Sequence, residues 1–424
     1  MQDSGTTAVG TPPRPPGSRS GRRPSILRLL GPAFVAAIAY VDPGNVAANV
    51  SAGAQLGYLL VWVIVVANAM AVLVQYLSAK LGLVTGRSLP EVLAERMGRR
   101  ARLAYWGQAE LVAAATDLAE IIGGAIALHL LFGLPLLLGG AVTGVISMLV
   151  LTVQQRRGQR TFETVITSML AILAVGFCLG LVVAPPSLTG TLGGLVPRFE
   201  GTSSVLIAAS MLGATVMPHA IYLHSSLARD HHGSGHSPAG LRRLLVATRW
   251  DVALALLLAG TVNLAMLLLA ASTLAGRTGV DSIEGAHAAI EDALGPVVGI
   301  AFAVALLVSG LASTSVGSYA GAEIMQGLLK VRVPLLTRRL VTLVPALVLL
   351  ATNLSPTWLL VLSQVVLSFG IPFALVPLVR VTSDRALMGE HRNGTATRVV
   401  AWGVALAIVA LNVALLALTL SGVG

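Results

Sequence analysis

The 424-residue sequence predicts an all-α polytopic membrane protein built as an inverted repeat, and three observations carry that prediction. Only 11% of residues are charged while 55% are hydrophobic, less than half the roughly 25% charge of a soluble domain. Apolar runs near the ~20 residues that cross a bilayer recur from end to end. Two of those runs, five spans apart, are broken in mid-span by proline.

Eleven spans are expected, near 29–51, 58–79, 104–131, 136–153, 163–184, 203–228, 250–274, 296–324, 340–353, 357–379 and 399–420. Of the 28 Lys and Arg residues, 26 fall in the N-terminal tail or in alternate loops, and only Arg198 and Arg277 fall on the other side. That asymmetry places the N-terminus in the cytoplasm and, with eleven spans, the C-terminus outside. The net charge of +10 is therefore topology and not a nucleic-acid surface. Arg outnumbers Lys 26 to 2, in keeping with a bacterial plasma-membrane protein of GC-rich coding.

Residues 1–27 are rich in Pro, Gly, Ser and Arg and are expected to form a disordered cytoplasmic tail, since they cannot bury enough apolar surface to offset ordering. They do not resemble a signal peptide, because the first apolar segment is of span length. Residues 28–424 are expected to form the membrane part. Its first repeat is expected at about 28–184, its second at about 203–379, and an extra helix at about 399–420. Cys178 is the single cysteine, so neither a disulfide framework nor a thiolate metal cluster is available within one chain. The stretch RDHHGSGHSPAG at 229–240 reads as a flexible polar linker, with His231, His232 and His236 as loose metal donors at most.

The first broken span contains AYVDPGNVAANV at 39–50, and Asp42 is the only charged residue between Arg28 and Lys80. A charge at the bilayer centre costs roughly 2.5–3.5 kcal/mol on insertion scales, so it needs an interior partner. Asp followed by Pro can also cap the half-helix after the break; capping and a site role are compatible. The second broken span, SSVLIAASMLGATVMPHAIYLHSSL at 203–227, has no charged residue but carries Met217, Pro218 and His219. Proline interrupts each span, and freed backbone groups persist at membrane depth only against protein or a polar cavity. Two interrupted spans in corresponding positions point to a transporter with a mid-membrane site. Asp42 and Asn45 would then supply oxygens, Met217 a thioether, and the second break the Ala214 carbonyl. Hard Mg²⁺ and Ca²⁺ take oxygen alone, whereas sulfur favours a divalent transition metal.

DPGN at 42–45 and MPH at 217–219 resemble the two signature motifs of the Nramp family, and the likeness extends through ATDLAEIIG at 115–123 and SQVVLSFGIPFALVPL at 363–378. The chain looks most like the family's bacterial manganese transporters. The resemblance implies a LeuT-type fold of five plus five inverted helices and proton-coupled import of Mn²⁺ and often Fe²⁺, the metal being substrate and no cofactor being needed. It also implies that Asp42, Asn45, Met217 and the carbonyls of Ala39 and Ala214 bind the metal, joined by Gln364 in an occluded state. Family members that handle Mg²⁺ lack the Met of the second motif, which this chain keeps.

Coupling requires protonatable groups. Glu110, Asp117 and Glu120 fall within about 80° of one helical face of span three, and acids lined up inside a membrane are usual material for a proton relay. They could equally pair with Arg338 and Arg339; the two readings overlap. The resemblance implies that Asp117 and Glu120 lie on the proton path from Asp42. His219 and His224 are possible proton-linked switches, or hydrogen-bonded structural residues. Gly82, Gly86, Gly317 and Gly321 have the small-xxx-small spacing of close helix packing.

Hydroxyls at Ser309, Ser313, Thr314, Ser315 and Ser318 keep a Na⁺- or H⁺-coupled organic-solute symporter as a competing reading. An intramembrane enzyme is disfavoured because no His-Glu-x-x-His motif or nucleophile–base pair is evident. A metal-responsive receptor would share the metal site without carrying flux. Besides the metal ion, protons and the bilayer are the expected partners.

Overall fold

The computed structural model describes residues 31–421 apart from Gly158, Arg332 and Asn353, and omits the side chains of 150–160, Phe162, Leu335 and Thr419. The tail expected at 1–27 lies outside the described residues. Every regular element among the described residues is helical.

The first broken span is α1 (Pro32–Ala37), a 3-10 turn (Ile38–Val41) and α2 (Pro43–Leu56). It is followed by α3 (Val61–Thr85), the short α4 (Leu89–Arg96), α5 (Arg99–Phe132), α6 (Leu136–Arg157) and α7 (Gln159–Val183). After α8 (Leu188–Gly193) the second broken span is α9 (Gly201–Thr215) and α10 (Pro218–His232). Then come α11 (Pro238–Thr273), α12 (Ile283–Leu294), α13 (Pro296–Leu329), α14 (Leu335–Leu350) and α15 (Pro356–Ser383). The short α16 (Arg385–Met388) leads to α17 (Thr395–Ser421).

Proline is used here to start helices. Pro43 and Pro218 each occupy the first turn of the half-helix after a break, where the missing N–H would have had no intrahelical partner. Pro238, Pro296 and Pro356 do the same for α11, α13 and α15. Ser88 opens α4 with a reciprocal capping box to Glu91, which satisfies two otherwise orphaned donors.

Among the described residues, eight helices, α9 and α10 counted as one, are long and apolar enough to cross a membrane. The protein is a multi-pass membrane protein. The other three expected spans correspond to α1–α2, α6 and α14, whose apolar stretches are shorter.

Packing follows an inverted repeat. The half-helix α1 rests on α7, and its counterpart α9 rests on α15; α10 rests on α3, and its counterpart α2 rests on α11. The central helices of the two halves, α5 and α13, pack against each other. Each break is thus enclosed by the same set of neighbours taken from opposite halves. Glycine permits the closest approaches. A Cβ on Gly82 would lie 2.0 Å from the Ser225 carbonyl oxygen, where α3 meets α10.

One expectation is corrected. The stretch 229–240 is mostly helix, because α10 continues to His232 and α11 begins at Pro238. His231 is held by Glu163, 2.8 Å away, and His236 meets the Gly233 carbonyl at 3.1 Å. An acid on α7 and the end of α10 extend the helix into what composition alone reads as linker.

Candidate metal-binding site

The two breaks meet. Asp42 stands in extended conformation as the N-cap of α2, with Oδ1 accepting from the Asn45 backbone N–H at 2.7 Å and its side-chain amide at 2.8 Å. Capping and a site position therefore coincide in one residue. The Asn45 amide also donates to the Ala214 carbonyl at 3.0 Å, bridging to the last turn of α9. Across the junction Gln364 of α15 donates to Asp42 Oδ2 at 3.3 Å.

Met217 is the N-cap residue of α10, in extended conformation and fully buried. Ala39 lies in the 3-10 turn, also buried. The carbonyls that follow it are occupied: Asn263 donates to Tyr40 at 2.8 Å and Ser309 donates to Val41 at 2.5 Å. The structure thus brings Asp42, Asn45, Ala214 and Gln364 into direct contact, and places Ala39 and Met217 at the two breaks beside them.

Glycine decides how tightly this junction closes. A Cβ on Gly44 would lie 1.6 Å from Gln364 Nε2, and one on Gly213 would lie 1.9 Å from the Gln364 carbonyl oxygen. The absence of both side chains lets α15 lie directly on the two breaks. Asp42, Asn45, Met217 and Gln364 are each 0% exposed, so the junction is closed on every side.

The electrostatics of the junction are one-sided. Among the described residues no Lys, Arg or His pairs with Asp42, whose partners are amides. Asn45 Oδ1 and Gln364 Oε1 are buried with no hydrogen-bond donor among the described residues. A buried carboxylate without a counter-charge, together with two buried amide oxygens without donors, is costly in an apolar interior. Such a group suits a cation with a taste for oxygen, and Met217 at the break offers sulfur.

The acids of α5 are arranged differently. Arg339 of α14 reaches Asp117 at 3.0 Å and Glu120 at 3.4 Å, and is only 1% exposed. Its remaining donors go to Ser147 at 3.0 Å and Thr314 at 3.1 Å. Glu110 pairs with Arg338 at 2.9 Å. The acids and the junction of the two breaks adjoin: a Cβ on Gly123 would lie 2.1 Å from Pro43 Cβ, and Glu120 is one helical turn before Gly123. Glu120 Oε1 has no partner among the described residues and faces Gly317, where a Cβ would approach it to 2.9 Å.

His219 is buried and meets the Thr116 hydroxyl at 3.4 Å. His224 is buried, with Nδ1 2.7 Å from Gln75 Oε1, and Gln75 donates to the Tyr40 hydroxyl. Sequence reasoning missed Gln75 and Tyr40, together with the Asn49–Asn263 bond at 2.9 Å. It also missed Asp251, which accepts from the Gly31 and Ala33 N–H groups at 3.0 Å each and so caps α1. Each is a polar side chain in or beside an apolar run that stands in neither motif and not on the acidic face of span three.

Known proteins bear on the same region. A profile described as "Natural resistance-associated macrophage protein-like", the Nramp family, matches residues 33–418. The chain belongs to the Nramp family. It is 64% identical over 394 residues to the "Divalent metal cation transporter MntH" of Mycobacterium tuberculosis, covering 93% of this chain and 92% of that one. Among solved structures, a manganese transporter of Eremococcus coleocola, crystallised with an aromatic bis-isothiourea compound, superposes with TM-score 0.83 at 29% identity. That match covers 94% of this chain and 87% of the other. The nucleobase-cation-symport-1 transporter Mhp1 matches at TM-score 0.57 and 19% identity over 87% of this chain and 81% of its own, which concerns the fold alone. The architecture is the LeuT-type inverted repeat, with both motif spans interrupted as the family resemblance implies.

Proposed function

We propose that this Nramp-family chain imports divalent transition-metal ions, Mn²⁺ first and Fe²⁺ second, in symport with protons. The observation that carries the reading is Asp42: a fully buried carboxylate with no cation beside it among the described residues, held by the amide nitrogens of Asn45 and Gln364, whose own oxygens are buried without a donor. In this proposal Asp42, Asn45, Met217, Gln364 and the carbonyls of Ala39 and Ala214 hold the metal, and no cofactor takes part. The names of the similar proteins, a divalent metal cation transporter and a manganese transporter, agree with it.

Proton movement runs from Asp42 toward Glu120 and Asp117. The close contact of Gly123 with Pro43 supports this direction, and so does the unpartnered oxygen of Glu120. Arg339 and Arg338 hold the acids of α5 in line, with Glu110 at the far end. His219 and His224 flank the route as titratable neighbours of α10. Alternating access arises when α1 and α10 rearrange around the fixed junction, since half-helices ending in a break can move without unwinding a continuous span.

The same reading includes eleven spans, repeats at about 28–184 and 203–379, and an extra helix at about 399–420. It places the protein in the bacterial plasma membrane with a cytoplasmic N-terminus and an external C-terminus, on the strength of the basic-residue asymmetry. The sodium-coupled alternative is weakened by Arg339. Its guanidinium donates to Thr314, putting a permanent cation among the hydroxyls that reading would need for sodium.

The test is Mn²⁺ uptake by purified protein in liposomes, with and without an inward proton gradient. Uptake accelerated by the gradient and accompanied by proton entry is expected. A protein that moves none of Mn²⁺, Fe²⁺ or Co²⁺ would falsify the reading.

A further inference from the structure

A cleft of 350 Å³ opens between the ends of α3 and α11 and the segment that leads into α17, and shares no lining residue with the metal junction. Lys80, Arg242, Arg249 and Arg392 line it against a single carboxylate, Glu390. That carboxylate approaches only Arg242, at 3.9 Å, with both side chains largely in solvent. Among the described residues Lys80, Arg249 and Arg392 form no ion pair with an acid.

The cleft is built, with Lys80 as its fixed point. Lys80 is 6% exposed and donates to Asn393 Oδ1. Asn393 is locked in turn by its backbone bond to the Thr382 carbonyl at 2.9 Å and its side-chain bond to the Thr382 hydroxyl at 2.8 Å. Two cations share the Tyr76 ring, with Lys80 Nζ 5.9 Å and the Arg249 guanidinium carbon 5.1 Å from its centroid. An aromatic face offsets part of that like-charge crowding, but a bound anion would offset far more.

A phosphate group satisfies this chemistry, and the surroundings say which kind. Val246 lines the cleft one turn from both Arg242 and Arg249, and Trp250 follows it; they are 49% and 58% exposed. This is an apolar strip beginning at the cations, and Trp is enriched where membrane meets water. A soluble phosphate has no use for such a strip, whereas an acyl chain does. We infer that the cleft binds the headgroup phosphate of an anionic phospholipid in the cytoplasmic leaflet, its acyl chain lying along Val246 and Trp250. Basic pockets between spans on that side are the usual form of headgroup site. The leaflet assignment rests on the orientation proposed above. Because α3 carries α10 and α11 carries α2, a headgroup held here braces the two helices on which the moving halves rest.

The experiment uses the full chain in a neutral detergent, adding phosphatidylglycerol, phosphatidylcholine or inorganic phosphate, with native mass spectrometry and thermal unfolding as readouts. One retained phosphatidylglycerol and a raised Tm are expected. Arg249→Gln and Arg392→Gln should each weaken lipid binding about fivefold, the equivalent of the ~1 kcal/mol a cation contributes near an anionic surface. Both replace exposed side chains, and unchanged Mn²⁺ binding would confirm that the variants are folded. Equal effects of phosphatidylcholine, or variants that keep the phosphatidylglycerol response, overturn the proposal. Full protection by inorganic phosphate alone overturns the lipid assignment. These readouts do not depend on transport or orientation. Labelling of Arg242→Cys only from outside the cell would overturn the leaflet while leaving lipid binding intact.

Discussion

Asp42 and the Asp117–Glu120 pair are carboxylates of similar burial in one bundle, yet they are treated in opposite ways. Asp117 and Glu120 share a guanidinium that is itself anchored by Ser147 and Thr314. Asp42 has amides and nothing cationic among the described residues. A buried ion pair roughly balances desolvation against attraction, whereas a lone buried charge bears its desolvation cost of several kcal/mol uncompensated. The paired acids therefore have a structural reason to exist in this chain by itself. Asp42 caps α2, but its charge is compensated only if a cation arrives from elsewhere. The contrast separates a buried carboxylate without a counter-charge, the proposed cargo site, from carboxylates whose charge is already balanced by Arg339.

The strongest way to break this contrast is Asp42→Ala. Mn²⁺ uptake into liposomes should fall to the level of empty vesicles, while thermal stability in detergent holds or rises because an uncompensated charge has gone. Wild-type flux in that variant would remove Asp42 from the site. A large loss of Tm would instead make it a structural cap. Arg339→Leu should behave in the reverse manner. It strands two buried carboxylates and should cost about 3–5 kcal/mol of stability, measured by denaturant or thermal unfolding. Adding Asp117→Asn and Glu120→Gln to it should recover part of that loss, and no recovery would mean that the guanidinium acts through packing alone.

Met217→Ala sharpens the cargo half of the comparison. Manganese uptake should persist, because the oxygen donors remain. Discrimination against Ca²⁺ and Mg²⁺ should weaken, since only the sulfur favours softer ions. Competition of Ca²⁺ against Mn²⁺ uptake measures it directly, and an unchanged competition profile would dismiss the thioether as a filter.

Much of this was legible in the sequence because membrane physics makes certain residues conspicuous. A lone Asp followed by Pro, and a Met-Pro in a span five helices later, predict two breaks that the structure brings into contact. The phase of Glu110, Asp117 and Glu120 on α5 predicts one acidic face, and Arg338 and Arg339 are found opposite it. What sequence could not give was neutral and long-range. Gln75 and Tyr40 sit in apolar runs without charge or motif, and their link to His224 exists only because α3, α10 and the 3-10 turn converge. Asp251 stands two residues after Arg249 near the end of a span without any motif, and its role as the cap of α1 depends on a contact 220 residues back. The helical end of α10 was misread because polar composition resembles a linker until Glu163 is placed beside His231. Gly44 and Gly213 carry no sequence sign that their missing side chains make room for Gln364.

A third acid–arginine arrangement sets the lower end of the scale. Arg96 meets Asp384 at 2.6 Å, but the side chains are 45% and 30% exposed, at the ends of α4 and α15. The Arg96 hydrogen bond, followed by the Ala386 backbone N–H, holds the Asp384 carboxyl below its ordinary value. Because the folded-state pKa is the depressed one, the stabilisation is present above the unfolded value of about 3.9. It disappears as pH falls through the folded value. Screening by solvent limits it to a few tenths of a kcal/mol, ~1 kcal/mol at most. Arg96→Gln should thus lower Tm slightly at pH 7, less in high salt, and not at all in acid once Asp384 is protonated. A loss as large as that of Arg339→Leu, or one insensitive to salt, would show that solvent does not separate this pair from the buried one. In that case the distinction drawn between Asp42 and its paired neighbours would need a cause other than dielectric environment.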